Sequence, residues 1–234
     1  MERRAKLYEG KAKVLYETDD ADLLIQYFKD DATAFNAAKR GTIVGKGVMN
    51  NRIAATLFAH VAEHGVPTHF VKVLSEREML VKRLQIIKIE VVVRNLVAGS
   101  LAKRLGLPEG QDLAEPVLEF FYKDDALGDP LINDYHIRML HLASGPEMEA
   151  IVDGAFRVNE LLKEYFDKRG ILLVDFKLEF GRYRGQILLG DEITPDGCRL
   201  WDRVTREKMD KDRFRRDLGR VEEAYAEVLR RVCG

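Results

Sequence analysis

Short runs of apolar residues broken by polar or glycine positions fill the first third of the chain. They predict strands over residues 6–8, 12–16, 23–28, 66–74, 79–84 and 86–94, because Val, Ile, Leu and aromatic residues in such runs suit a pleated surface. Glu9-Gly10-Lys11 reads as a turn between the first two. One helix is expected from about 47 to 63, stopped by His64-Gly65-Val66-Pro67. In the second half, 96–105 reads as a short helix ended by Gly106 and Pro108. Residues 144–168 give the clearest helix: Ile151, Ala155, Val158, Leu162, Tyr165 and Phe166 recur at helical spacing. Ser144 with Glu147 fits a capping box there, and Gly170 a stop. Strands 171–180 and 186–193, joined through 181–185, predict an antiparallel hairpin, and 210–232 reads as a last amphipathic helix. No repeat or linker is evident. A strand-rich start followed by a mixed remainder predicts an α+β fold of two packed lobes, 1–84 and 85–234.

Bulk composition narrows the function classes. Among 234 residues, 38 basic and 39 acidic side chains leave a net charge of -1, so no global field draws nucleic acid or acidic lipid, and any anion site must be local. Two cysteines, Cys198 and Cys233, without a CxxC exclude a disulfide scaffold and a zinc ribbon. Reduced thiols in a cytoplasm are the simplest reading. The start MERRAKLYEGKAK lacks the apolar stretch of a signal peptide, and the longest apolar runs are too short to cross a bilayer.

The densest candidate chemistry lies in LLVDFKLEF, residues 172–180. Strand side chains alternate faces. Val174, Phe176, Leu178 and Phe180 are thus expected on one buried face, and Asp175, Lys177 and Glu179 on the other. That charged row suits the floor of a cleft, and equally a solvated outer face with Lys177 offsetting its neighbours. The next strand brings Asp191 and Glu192 roughly opposite Glu179. Two such carboxylates need a cation between them. Magnesium is the natural one beside a nucleotide, with Lys177 as the competing neutraliser. Near the N-terminus, Gly10 lets backbone approach a ligand, and Lys11 and Lys13 project on one side to hold a polyphosphate, unless the turn is only a basic hairpin tip. GTIVGKG at 41–47 is rejected as a Walker loop, being one residue short and carrying Gly47 where a hydroxyl should bind metal. Arg94 with Gly99-Ser100 suits a phosphate monoester. His60 and His64 have no evident third ligand and read as a solvated helix face; His136 and His141 are no stronger.

These segments, in this order, resemble the SAICAR synthetase family. The resemblance rests on LYEGKAKVLY (7–16), EVVVRNLVAGSLAKRLG (90–106), FYKDDALGDPLI (121–132), LLVDFKLEFG (172–181), LGDEITPDGCRLWD (189–202) and DKDRFRRDLG (210–219), and so spans nearly the whole chain. It implies an ATP-grasp-like α+β fold and an ADP-forming ligase that joins L-aspartate to the carboxylate of a ribotide, 5-aminoimidazole-4-carboxylate ribotide (CAIR), through an acyl phosphate. It implies Gly10, Lys11 and Lys13 as the ATP-phosphate loop in the first lobe, the stretch from Lys82 to Leu84 against adenine, and Glu179 and Asp191 as Mg2+ ligands. Arg94, Ser100 and Arg199 become the clamp on the CAIR phosphate. Asp175 and Lys177 become ribotide contacts beside the reacting carboxylate, grouped with Lys211 at the catalytic end, with Asp210 nearby. The implied partners are CAIR, L-aspartate and ATP, with no nucleic acid and no membrane, and a homodimer is allowed for. Two positions depart from the family pattern. Asn36, in Ala34-Phe35-Asn36-Ala37, replaces an aspartate common in the family and offers no charge; Lys88 replaces a usual proline. The rival readings are a small-molecule kinase, which would need no aspartate, and a non-catalytic nucleotide-binding module.

Overall fold

The computed structural model describes residues 1–34 and 39–234. In chain order the elements are β1 (Lys6–Glu9), β2 (Lys13–Glu17), β3 (Leu23–Phe28), β4 (Asp31–Ala34), β5 (Lys39–Thr42), α1 (Lys46–Glu63), β6 (Phe70–Ser75), β7 (Glu78–Lys82) and β8 (Gln85–Leu96). There follow α2 (Gly99–Leu105), β9 (Asp112–Tyr122), β10 (Leu131–Ile132), α3 (Asp134–Met139), α4 (Gly145–Asp167), β11 (Ile171–Tyr183), β12 (Gln186–Gly190), β13 (Cys198–Asp202), α5 (Asp212–Arg215) and α6 (Val221–Cys233). One five-stranded sheet, β1-β2-β3-β7-β6, lies within residues 6–82. The second, β10-β9-β8-β11-β12 with β13 also on β11, begins at Gln85. Strand and helix thus mix in an α+β arrangement.

The core forms where the apolar stripe of α4 meets the second sheet. Ile151, Ala155, Val158 and Leu162 are fully buried in one cluster with Val91, Val93, Phe176, Leu178 and Phe180. The Ser144 N–H donates to the Glu147 carboxylate at 2.7 Å, as a capping box requires. With Val91 and Val93 turned inward, Glu90, Val92 and Arg94 take the opposite face of β8, beside Asp175, Lys177 and Glu179 of β11.

Four expectations need correction. Val174 does not share a face with Phe176: the register slips between Leu173↔Leu200 and Asp175↔Arg199, and the extra residue turns Val174 toward Leu96, Ala98 and Trp201. The last helix is broken, because Asp217, Gly219 and Arg220 are all left-handed and Arg213 Nε donates to the Gly219 carbonyl at 2.8 Å, closing the chain after α5. Leu96 belongs to β8 rather than to a helix. The fourth concerns strands that the residue pattern does not predict: β4, β5, β9, β10 and β13. In β9, Pro116 obscures the pattern, and it sits where the pairing with β8 turns irregular between Arg94↔Val117 and Leu96↔Asp112. Lys88 is exposed within β8 and its carbonyl accepts the Lys123 N–H at 3.1 Å. Asn36 lies outside the described residues.

Candidate active site

A cavity of about 1060 Å³ opens between the β1–β2 turn, the charged face of β8 and β11, and the segment from Asp191 through α5. Gly10, Lys11, Lys13, Arg94, Ser100 and Asp175 line it, as do Lys177, Glu179, Asp191, Arg199 and Lys211. Lys82 and Leu84 do not. Lys82 Nζ donates to the Thr68 carbonyl at 3.2 Å, and Leu84 fills space that only glycines leave open, since a Cβ on Gly181 or Gly190 would lie 2.7 or 2.8 Å from its side chain.

Asp175 is the centre of one end. It is 3% exposed, which excludes a solvated outer face. Arg94 donates from Nη1 to Asp175 Oδ2 at 2.7 Å, from Nε to Glu119 at 2.8 Å and from Nη2 to Ser100 Oγ at 3.0 Å. Arg199 Nη1 donates to both Asp175 oxygens at 3.0 and 2.9 Å, and its Nε to Asp212 at 2.9 Å. Burial works against the Arg199 charge, but Asp175 and Asp212 more than offset it and raise its pKa. Gly99 makes the close approach possible: its φ is +54°, and a Cβ there would sit 2.5 Å from the Arg199 guanidinium. Two guanidiniums and a hydroxyl therefore converge, the donor set that holds a phosphate monoester.

The other end carries the two sequence-predicted acids. Glu179 pairs in register with Gly190, so Asp191, in left-handed conformation at φ 60°, follows just past the end of β12. Glu179 is ion-paired to Lys123 and Asp191 to Lys13, with Glu192 3.5 Å from the same Lys13 ammonium. Burial, then the Asp191 charge, pushes the Glu179 carboxyl above the usual range. Burial also acts on Asp191, but Lys13, Lys177 and Lys123 outweigh it and hold that carboxyl at about 2. Lys177 does not neutralise Glu179 by direct contact; its Nζ donates to Glu90 at 2.8 Å. Its pKa is raised despite burial because Glu90, Glu179 and Asp191 surround it.

Lys211 sits at the far wall, where Asp210 anchors the chain by accepting the Leu200 and Asp212 N–H groups at 2.8 and 2.7 Å. Glu90 and Glu119 escaped the sequence reading, although the alternation Glu90-Val92-Arg94 carried the signal for Glu90. Lys123 stands just past β9, in the family-like segment 121–132, but the residue pattern gives it no role. Lys46, within the rejected loop, is fully buried and donates to Asp196 at 2.5 Å, a structural ion pair rather than a Walker lysine. The His60 ring lies tilted against those of His64 and Tyr165, with ring centroids 4.5 and 4.6 Å apart, away from the cavity lining.

The family model for SAICAR synthetase matches residues 6–232. The phosphoribosylaminoimidazole-succinocarboxamide synthase of Caldanaerobacter subterraneus subsp. tengcongensis is 59% identical over 232 residues, 99% of each chain. Among solved structures, the Ehrlichia chaffeensis phosphoribosylaminoimidazole-succinocarboxamide synthase superposes with a TM-score of 0.96 at 44% identity, covering 97% of this chain and 98% of that one. A SAICAR synthetase in complex with ADP superposes at 0.94 with 50% identity, covering 96% of each chain. With residues 6–232 matched by the family model and a relative 59% identical over 99% of each chain, this chain belongs to the SAICAR synthetase family.

Proposed function

We infer that this protein is an ATP-dependent ligase of purine biosynthesis that joins L-aspartate to the carboxylate of CAIR, forming SAICAR and releasing ADP and phosphate. Family membership and a close relative in complex with ADP support the reaction class. The observation that carries the assignment to these residues is the convergence, in one cavity, of a lysine-bearing turn, a carboxylate pair and a two-arginine clamp.

A carboxylate is a poor electrophile towards an amine. The family chemistry activates it by moving the ATP γ-phosphoryl group onto a CAIR carboxylate oxygen, with ADP leaving; the aspartate amine then displaces phosphate. In our assignment, residues 1–84 form the nucleotide-binding lobe. Gly10, Lys11 and Lys13 cradle the ATP phosphates, with Lys82 to Leu84 at the hinge toward adenine. Residues 85–234 complete the ATP and ribotide site. Arg94, Ser100 and Arg199 grip the CAIR phosphate, and Asp175 orients the two arginines while facing the ribotide. Lys177 and Lys211 stand at the reacting end. The Lys177 ammonium is fixed by Glu90 and stays charged throughout the working pH range, so it can stabilise charge that develops on the transferring group. The buried walls around Asp175 and Glu179 keep water from an acyl phosphate.

Glu179 and Asp191 fit a magnesium ion. Both are hard oxygen donors facing the cavity, and the raised pKa of Glu179 marks a buried carboxyl whose charge the lysines leave partly uncompensated. Among the described residues no three His, Cys, Asp or Glu side chains form a metal site, so nucleotide oxygens and water would supply the remaining ligands. Bound there, Mg2+ would neutralise charge on the nucleotide phosphates and the transferring group. No helix among the described residues is long and apolar enough to cross a membrane. We place the enzyme in the cytoplasm, where its free Cys198 and Cys233 would stay reduced, acting alone or as a homodimer.

The test is product analysis with ATP, CAIR and aspartate. ADP and phosphate should appear, and full turnover should require both CAIR and aspartate. AMP and pyrophosphate would place the protein in another ligase class, and a stable phosphorylated product without aspartate would make it a kinase.

A further inference from the structure

His60 and His64 lie away from the cavity, yet they stand in a pattern with a chemistry of its own. His60-Val61-Ala62-Glu63-His64, at the C-terminal end of α1, reads H-x-x-E-H. Two histidines at i and i+4 of a helix with an acid between them have the spacing that chelates a divalent transition metal in one class of zinc enzymes.

The local geometry prepares both rings. They stand against each other, with centroids 4.5 Å apart. His64 Nδ1 lies 2.8 Å from the His60 carbonyl oxygen, so that nitrogen carries the proton, and in the neutral ring Nε2 keeps its lone pair. The His60 ring meets the Leu161 carbonyl of α4 in the same way, which leaves its other nitrogen as an acceptor. Carbonyls that hold one ring N–H are what orient metal-binding histidines. Burial first, then the neighbouring His64, lowers the His60 pKa below its ordinary 6.5, so the imidazole is neutral at pH 7, the form that binds metal.

A third donor faces the pair from α4. Lys168 first, with His64 and His60 as smaller causes, lowers the Glu164 pKa, which places that carboxylate beside both rings. It is turned to Lys168 at 2.5 Å, so the three side chains do not form a closed site as placed. That ion pair is exposed, 66% and 64%, and a carboxylate drawn away from it loses little. Arg169, over the Tyr165 ring at 3.5 Å, opposes a cation at His60, and Glu63 offsets it.

We propose that His60 and His64 bind one divalent transition-metal ion of the Ni2+, Cu2+ or Zn2+ class, completed by Glu164 and water. Imidazole suits these ions, whereas Mg2+ keeps to oxygen ligands, so this site differs in place and in preference from the carboxylate pair of the cavity. The ion would tie the end of α1 to α4 rather than act in the reaction, since neither histidine lines the cavity.

Calorimetric titration of the intact protein with NiCl2 tests the site, in excess Mg2+ to mask the cavity carboxylates. Wild type should take up one Ni2+ per chain, and its melting temperature should rise with Ni2+. His64→Ala and Glu164→Gln change exposed side chains and should fold as wild type. His64→Ala should weaken Ni2+ binding by about a hundredfold or more, because a lone histidine loses the gain of linked ligands. Glu164→Gln should weaken it by about tenfold. In both, the melting temperature should respond less to Ni2+, while turnover without Ni2+ stays at the wild-type rate. Affinity equal to wild type in either variant, or no saturable one-to-one uptake by the wild type, would overturn the site.

Discussion

Replacing Glu179 by Gln removes one negative charge from the cavity floor while keeping the side chain's size. The carboxylate is 4% exposed and ion-paired to Lys123, whose own side chain is 40% exposed. On substitution Lys123 can turn to water, so the lost pair costs about 0–1 kcal/mol, as for a surface ion pair. Loss of the like-charge contact with Asp191 offsets that cost. An acid whose folded pKa is raised, as that of Glu179 is, holds its proton longer in the folded state than in the unfolded one. Its charge therefore works against folding once pH exceeds the folded pKa, and removing it should not destabilise the protein near neutrality. The melting temperature should move by no more than about 2–4 °C for a chain of this size. Turnover should fall by about a hundredfold or more, about 3–4 kcal/mol, the scale of removing one electrostatic stabiliser. ADP release followed across a magnesium titration, with thermal melts on the same samples, reads both quantities. Excess magnesium should recover part of the rate. Near-normal turnover at limiting magnesium would refute the metal assignment, and so would a large fall in melting temperature with turnover spared. Asp191→Asn should lose turnover too, but it also strips the partner from Lys13, whose side chain is only 14% exposed, so some stability should go with it.

Other positions give independent tests. Arg94→Ala should raise KM for CAIR by about ten- to a hundredfold with KM for ATP nearly unchanged, and equal weakening would argue against the clamp. Asp30 accepts both Arg77 terminal nitrogens, at 2.7 and 3.0 Å, and the Gly47 N–H at 2.8 Å; its carboxyl is held at about 2, first by Arg77, against an ordinary 3.8. Asp30→Asn should therefore cost about 1–3 kcal/mol in urea denaturation at neutral pH, with the gap closing as pH falls from about 4 to about 2. Gly47→Ala would favour α1 by about 1 kcal/mol on propensity alone, yet should lower the melting temperature. The added Cβ would lie 2.4 Å from the Phe28 carbonyl oxygen, and a rise in melting temperature would show that the strand yields.

Periodicity made the frame legible where it was clean. β3 and α4 follow their apolar patterns to within a residue or two, because one face of each is buried against a continuous core. Glu179 and Asp191 were readable as neighbours because a glycine-bearing hairpin fixes register. Elements whose form depends on partners were not readable. β9 contains Pro116, and β13 pairs only through a slipped register on β11, so neither shows a plain alternation. Charges assembled across distant segments were hidden for the same reason: Lys123, just past β9, reaches Glu179 of β11 only through the pairing of both strands with β8, and Lys46 of α1 reaches Asp196 only through the tertiary fold. The buried row Asp175-Lys177-Glu179 resembles a solvated face in sequence, because alternation reports which side faces the core, not what covers the other side.

Charge balance links the cavity to the rest of the molecule. Ten acidic and ten basic side chains line it among the described residues, much as the whole chain balances 39 acids against 38 bases. Such a site attracts anions only where its cations are unevenly shared. Lys13, Arg94, Arg199 and Lys211 are cations that incoming phosphates or carboxylates would take from protein acids. Every cation so recruited leaves behind a carboxylate with less compensation, and for a buried Glu179 or Asp175 that is costly. ATP, CAIR and aspartate are all anions, so their joint binding adds negative charge that a balanced cavity does not offset. In the proposed assignment, a divalent cation entering with the nucleotide would relieve this beside Glu179 and Asp191. At the end proposed for the ribotide no such ion would be needed, because Asp175 is paired with both Arg94 and Arg199.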